Sequence, residues 1–294
     1  MEFAVSGDGD FIQRIKRSEL HGYVHSTFKR TINIKCHDNN EIYTIACCEM
    51  DNGPNTLIIN LSSFDKTDIE VKDKVRVNDN KLCIANKLAI STEKSKIWEC
   101  VLPEFPNELS RVKRNVTRAK EYIEIFGKSG GMKRDQLTKN AFVIETHKML
   151  EESSHLLIKE LLNLNMTKAL QHARGLIGLG PGLTPSGDDF LVGLLTIFNL
   201  RNCPFNHLHD FSEEIVKIAR PLTNEISFFT IKKASRGKVR ENMIRLVQSL
   251  LYGEEDELIQ SLNKVLSIGS SSGTDIAYGL ISGLEHNILA GGKL

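Results

Sequence analysis

Hydrophobic and polar residues alternate along the first third of the chain and then change period. Thr31-Ile-Asn-Ile-Lys-Cys36 alternates with period two, as do Ile42-Tyr-Thr-Ile45 and Val71-Lys-Asp-Lys-Val-Arg-Val77, the spacing of strands with one buried face. Asp79-Asn80, between Val75-Arg-Val77 and Leu82-Cys-Ile84, marks a hairpin turn, and Asn52-Gly-Pro54 marks another ahead of the apolar Leu57-Ile-Ile59. Residues 23 to about 102 therefore read as short strands of a small β barrel or sandwich. Two prolines in Leu102-Pro-Glu-Phe-Pro106 stiffen a connector. Beyond it the apolar period is helical: Phe142, Glu145, Thr146, Met149 and Leu150, then Leu156-Leu-Ile158 with Leu161-Leu162. Further helices are expected over 211–219, 238–252, 255–267 and 274–289. The expected class is α+β, with a β-rich domain over 1–105 and a mainly helical domain over 106–294.

One stretch breaks the helical pattern. Gly175-Leu-Ile-Gly-Leu-Gly-Pro-Gly-Leu-Thr-Pro-Ser-Gly-Asp-Asp-Phe190 holds five of the chain's 21 glycines, a density that ends one helix and starts something else. The run Leu191 to Phe198 that follows is apolar on every side, as a helix buried within its domain must be. Unpaired N–H groups at its first turn, with the Thr184 and Ser186 hydroxyls, suit an anion. Gly180, Gly182, Thr184, Ser186 and Gly187 are the candidate contacts; the competing reading is a helix connection whose glycines serve only close packing. No Lys follows the glycines as in a nucleotide phosphate loop, and no strand precedes them as in a dinucleotide fingerprint.

A second element, Ile268-Gly-Ser-Ser-Ser-Gly-Thr-Asp-Ile276, also precedes a helix, and Ser271, Ser272, Gly273 and Thr274 are its candidate contacts. Ser186-Gly-Asp-Asp-Phe-Leu-Val-Gly193 and Ser272-Gly-Thr-Asp-Ile-Ala-Tyr-Gly279 share the pattern S-G-x-D-x-x-x-G. With Ser186 and Ser272 as N-caps, Asp189 and Asp275 fall at the third helical position, and the two helix starts are expected to converge on one cavity. A competing register makes Thr184 the cap with Pro185 first in the helix. Asp188, Asp189 and Asp275 are the candidate catalytic carboxylates. An acidic pair in an anion pocket must cap loop N–H groups, hold a divalent cation, or accept from an NH₂ group.

Charge and composition narrow the field. Lys plus Arg number 38 against 37 for Asp plus Glu, which leaves no basic footprint for nucleic acid. The longest apolar stretch, Leu191–Phe198, is far short of the ~20 residues of a membrane span, and the acidic start is unlike a secretory leader. Six cysteines without a C-x-x-C read as small buried hydrophobes of a reducing cytoplasm. The cluster Arg111, Lys113, Arg114, Arg118 and Lys120 reads as a solvated helix face. His172, the imidazole nearest the glycine loop, reads as ending a helix.

Gly178-Leu-Gly-Pro-Gly-Leu-Thr-Pro-Ser-Gly-Asp-Asp189 resembles the signature of the AllH-type family, the third subunit of bacterial oxamate carbamoyltransferase. Pro221-Leu-Thr with Ile226-Ser227, Ile268-Gly to Asp275, and more weakly His25-Ser-Thr-Phe-Lys-Arg-Thr-Ile-Asn33 are also similar. The resemblance implies an enzyme that exchanges oxalurate plus phosphate for oxamate plus carbamoyl phosphate, in allantoin degradation and purine catabolism. It implies other carbamoyltransferase subunits as partners, activity that can depend on them, and Ser227 among the substrate contacts. Such chemistry needs a cradle for phosphate oxygens and a developing oxyanion, which N–H groups and hydroxyls supply. No cofactor is expected, with Mg²⁺ and any metal ligands left open. The alternatives are a nucleotide-binding phosphotransferase, for which only Arg174 offers a nearby charge, and a non-catalytic scaffold subunit.

Overall fold

The computed structural model describes residues 2–291 and divides into two compact units, Met1–Cys100 and Val101–Leu294. In the first, the chain runs β1 (Glu2–Asp8), α1 (Gly9–Lys16), β2 (His21–Thr27), β3 (Thr31–Cys36), β4 (Ile42–Cys47), β5 (Thr56–Ile59), β6 (Lys74–Asn78), β7 (Lys81–Ile84), β8 (Leu88–Ser91) and β9 (Lys96–Trp98). The strand order β5-β4-β3-β2-β6-β7-β8-β1 is closed by pairing of β5 with β1. The result is an eight-stranded barrel, the closed alternative of the two expected from sequence. Closure removes open edges. β1 achieves it by sharing one edge between two parallel partners, with Glu2 and Phe3 beside β8 and Ser6 to Asp8 beside β9. Phe11, Ile12 and Ile15 of α1 are fully buried in the same core as Val24, Ile34, Ile45, Leu57 and Leu82, each worth about 2 kcal/mol of apolar burial.

Asp79 and Asn80 both have positive φ, 47° and 57°, between the paired Asn78 and Lys81, as a two-residue hairpin turn requires. The alternation over 71–77 overstates its strand. Lys72 has φ 75° and the Asp73 carboxylate accepts from the Glu70 N–H at 2.9 Å, so residues 70–73 form a turn and the strand starts at Lys74.

The second unit is helical: α2 (Ser110–Phe126), α3 (Ala141–Leu162), α4 (Met166–Leu176), α5 (Ser186–Phe198), a 3₁₀ turn (Pro204–His207), α6 (His209–Ala219), α7 (Glu225–Ala234), α8 (Glu241–Tyr252), α9 (Glu255–Leu266) and α10 (Ser272–Gly291). Every residue of α5 is buried. The apolar positions from 142 to 162 form one helix, α3, whose inward stripe is Thr146, Leu150, Ser154, Leu157, Ile158 and Leu161. Phe142, at 76 % exposure, lies outside that stripe. Arg111, Arg118 and Lys120 on α2 pair with Glu254, Glu255 and Glu285 at 2.8, 3.0 and 2.7 Å. Much of that positive charge is thus met on the protein's own surface. All six cysteines are free, with Cys36, Cys47 and Cys203 buried. Among the described residues no helix is long and apolar enough to cross a membrane.

Candidate functional site

Two helix starts built alike meet in the helical unit. Past the end of α4, Gly178 turns the chain with φ 76°; past the end of α9, Gly269 does so with φ 60°. Each chain then re-enters a helix through a glycine pressed against the helix it has just left. A Cβ on Gly187 would stand 2.0 Å from the Leu176 carbonyl oxygen, and one on Gly273 would stand 1.9 Å from that of Val265. Their N–H groups donate to the Leu179 and Ile268 carbonyls at 2.9 and 3.0 Å. The first helical bonds also match, Asp189 N–H to Pro185 O and Asp275 N–H to Ser271 O, both 3.0 Å. Further along, α5 and α10 cross backbone to backbone. A Cβ on Gly193 would lie 2.2 Å from the Ile276 carbonyl oxygen, and one on Gly279 would lie 2.0 Å from that of Phe190.

Ser186 and Ser272 are the first residues of their helices and not the caps. Pro185 occupies the cap position of α5 with no side-chain cap bond, because its carbonyl opens the helix and its missing N–H costs nothing there. The Thr184-capped register is likewise absent. Asp189 and Asp275 therefore stand fourth in their helices, one residue further than expected.

The three aspartates have separate surroundings. Asp188 is fully buried and its carboxylate accepts from the Gly178 N–H at 2.8 Å, Thr223 Oγ1 at 2.5 Å and Ser227 Oγ at 2.6 Å. It fastens its own loop to the start of α7, and Ser227 is held by that bond. Asn224 caps α7 through the Ser227 N–H and reaches back to the Leu183 carbonyl. Asp189 and Asp275 instead face the junction. Asp275 Oδ1 accepts from the Met132 N–H at 2.7 Å, while Oδ2 of both residues and Ser186 Oγ are buried without a hydrogen-bond partner. Thr184 Oγ1 and Ser272 Oγ lie 2.9 Å apart, joining the two starts directly. Thr274 Oγ1 is turned away, accepting from the Lys128 N–H at 2.8 Å.

Burial lifts the Asp189 carboxyl well above the usual carboxylate range; the Ser272 and Thr184 hydroxyls oppose the rise, and the charges of Asp275 and Asp188 add to it. Burial pushes Asp275 up to about 6, against the Met132 N–H that its carboxylate accepts.

The expected anion contacts divide between spent and available donors. The N–H groups of Gly178 and Gly187 are used within the fold. Among the described residues those of Gly180, Gly182, Leu183 and Thr184 have no partner. Gly180 and Gly182, with φ 113° and 96°, give that stretch a path closed to other residues, and Pro181, Gly182 and Leu183 are exposed.

The segment Gly127–Lys133 is the part of the site missed by sequence reasoning. A Cβ on Gly131 would lie 2.4 Å from both Asp275 carboxylate oxygens and 2.5 Å from Ser186 Oγ. Lys133 Nζ anchors the segment to the Ile123 and Glu124 carbonyls in the last turn of α2 and donates to that of Gly127 just past it. A small cavity beside it is lined by Gly131, Arg134, Thr138, Thr146, His147 and Pro181. The Gly130-Gly131 pair is the one local signal, and it names no partner.

Two comparisons bear on this arrangement. A family model described as oxamate carbamoyltransferase subunit AllH matches residues 176–284, from the last residue of α4 through both helix starts. A model described as the AllH family N-terminal domain matches residues 3–97, the barrel. No solved structure matches the chain. The family matches cover well over half of the sequence and fall on its two structural units in order, so the chain belongs to the AllH family.

Proposed function

We propose that this protein is a subunit of an oxamate carbamoyltransferase and that it holds the phosphate-like group of the reaction at the glycine loop before α5. In that reaction a phosphate oxygen forms a bond to the carbamoyl carbon of oxalurate, the C–N bond to the oxamate nitrogen breaks, and that nitrogen takes up a proton. The anionic group would sit on the N–H donors of Gly180, Gly182, Leu183 and Thr184, with the Thr184 and Ser272 hydroxyls facing the developing oxyanion. Asp188 and Ser227 would act by position, holding the loop to α7. The observation that carries the reading is the set of unpaired N–H groups of Gly180, Gly182, Leu183 and Thr184 beside the junction of two matching helix starts, in a chain of the family named for this enzyme. The other carbamoyltransferase subunits are the expected partners, allantoin degradation the expected pathway, and the cytoplasm the expected compartment.

Phosphate or carbamoyl phosphate should raise the melting temperature of the protein more than chloride at equal ionic strength, by about 2.7 kcal/mol of apparent stability at one hundred times the dissociation constant. Gly182→Val should abolish the specific part, because its φ of 96° excludes a branched side chain. Equal shifts with chloride would overturn the anion site. Failure of the protein to restore carbamoyl transfer to its partner subunits would overturn the enzymatic role.

A further inference from the structure

Asp189 is 4 % exposed and Asp275 fully buried, and among the described residues neither forms an ion pair. Carboxylates buried in a low-dielectric interior lose hydration, so two of them without a partner of opposite charge call for a counter-charge. The side-chain groups beside them are hydroxyls. Ser186 Oγ is fully buried and has no hydrogen-bond partner. The Thr184 and Ser272 hydroxyls are paired with each other at 2.9 Å beside Asp189. The Met132 N–H occupies Asp275 Oδ1 and leaves Oδ2 unpartnered. Gly131 closes the site on that side with bare backbone. Carboxylates and hydroxyls are the ligands of hard cations. Among the described residues no group of three or more His, Cys, Asp or Glu side chains gathers as zinc or a softer metal would require.

We propose that Asp189, Asp275 and Ser186, with the Thr184 and Ser272 hydroxyls beside them, form a binding site for one hard divalent cation of the Mg²⁺ class at the junction of α5 and α10. The cation cancels the two buried charges, and the N-terminal ends of both helices favour the ionised carboxylates that hold it. Ligand positions left over go to water or to an oxygen of an anion on the loop from Gly180 to Thr184. This removes the repulsion an anion would otherwise meet from the acidic pair beneath it. The site follows from its donor set and stands whether or not the chain takes part in carbamoyl transfer.

The test uses the full chain, stripped with chelator, and metal alone. Mn²⁺ is titrated in the absence of phosphate and followed by electron paramagnetic resonance, then displaced with Mg²⁺ in a calorimeter. One Mn²⁺ per chain, displaced by Mg²⁺, is expected. Asp189→Asn and Asp275→Asn should each weaken binding by at least about tenfold, the loss already typical of an outer-shell partner. Ser186→Ala should weaken it several-fold. Both amide variants remove a buried charge and should fold; should either not, Ser186→Ala and Ser272→Ala carry the same test. Absence of saturable binding at millimolar Mn²⁺ would overturn the proposal. So would wild-type affinity in both aspartate variants, or displacement by Na⁺ or K⁺ at equal ionic strength.

Discussion

The connection into α5 takes nine residues, Ile177 to Pro185, and that into α10 takes five, Ser267 to Ser271, yet both deliver the same sequence of contacts. Each has a left-handed glycine past the first helix, a glycine against that helix's last carbonyls, and an aspartate whose N–H makes the first helical bond. The difference lies at the third helical residue and in the spare length. Asp188 accepts three hydrogen bonds and ties its loop to α7; Thr274 accepts one, from the segment after α2. The longer loop uses its extra residues to present unpaired N–H groups at the surface. The shared backbone therefore fixes where two carboxylates stand, while one variable position selects the neighbouring segment to be fastened there.

The comparison breaks most readily at its symmetric point. Gly193→Ala and Gly279→Ala each drive a Cβ into an opposing carbonyl and should cost about 3 kcal/mol or more, at the top of the overpacking range. Urea denaturation of both should give similar losses. A large loss at one alone would show that the crossing is not reciprocal. The asymmetric point comes next. Asp188→Ala strands three donors, the Ser227 hydroxyl among them buried, and should cost about 3 kcal/mol, whereas Thr274→Val strands one and should cost about 1 kcal/mol. Equal costs would remove the distinction between the third positions.

Asp275→Asn sharpens the shared feature. With its carboxyl raised from 3.8 to about 6 in the fold, the folded protein holds a proton that the unfolded chain releases between those values. Stability from this group is therefore greatest below about pH 4, falls as pH rises towards 6, and stays lost above it. In chelator, Asp275→Asn should exceed the parent by roughly 3 kcal/mol near pH 8 and match it near pH 4. Melting curves across pH check this, and a constant difference would remove the assigned cause. The smallest effects belong to the turns. Gly269→Ala should cost about 1 kcal/mol and Gly269→Asn less, since φ 60° is a conformation that asparagine tolerates.

Local rules reached far into this molecule where partners are near in sequence. Asp79-Asn80 announces its hairpin because two left-handed residues make the turn by themselves. The buried α5 is legible because its run from Leu191 to Phe198 has no charged face. The match between the two aspartate segments is legible as four identities, and its registers lie one residue from those expected because serine normally caps and proline normally follows the cap. β1, α1 and α7 escaped notice. β1 alternates weakly and is held by partners about fifty to ninety residues away, and α1 and α7 span only 8 and 10 residues. Gly131 and Met132 were invisible for a stronger reason. Their role rests on Ser186 and Asp275, far along the chain, and no periodicity encodes such a meeting.

The closing strand of the barrel also sets a timetable. β1 is synthesised first, yet its partners β5, β8 and β9 end at Ile59, Ser91 and Trp98. At roughly 5–20 residues per second, a ribosome takes on the order of 5–20 s to extend the chain from Asp8 to Trp98. Throughout that interval the three core side chains of α1 have no finished barrel to enter. The first unit consequently folds late relative to its own first strand, and a nascent chain stalled before Leu88 would present an unsealed sheet to chaperones and to neighbouring chains.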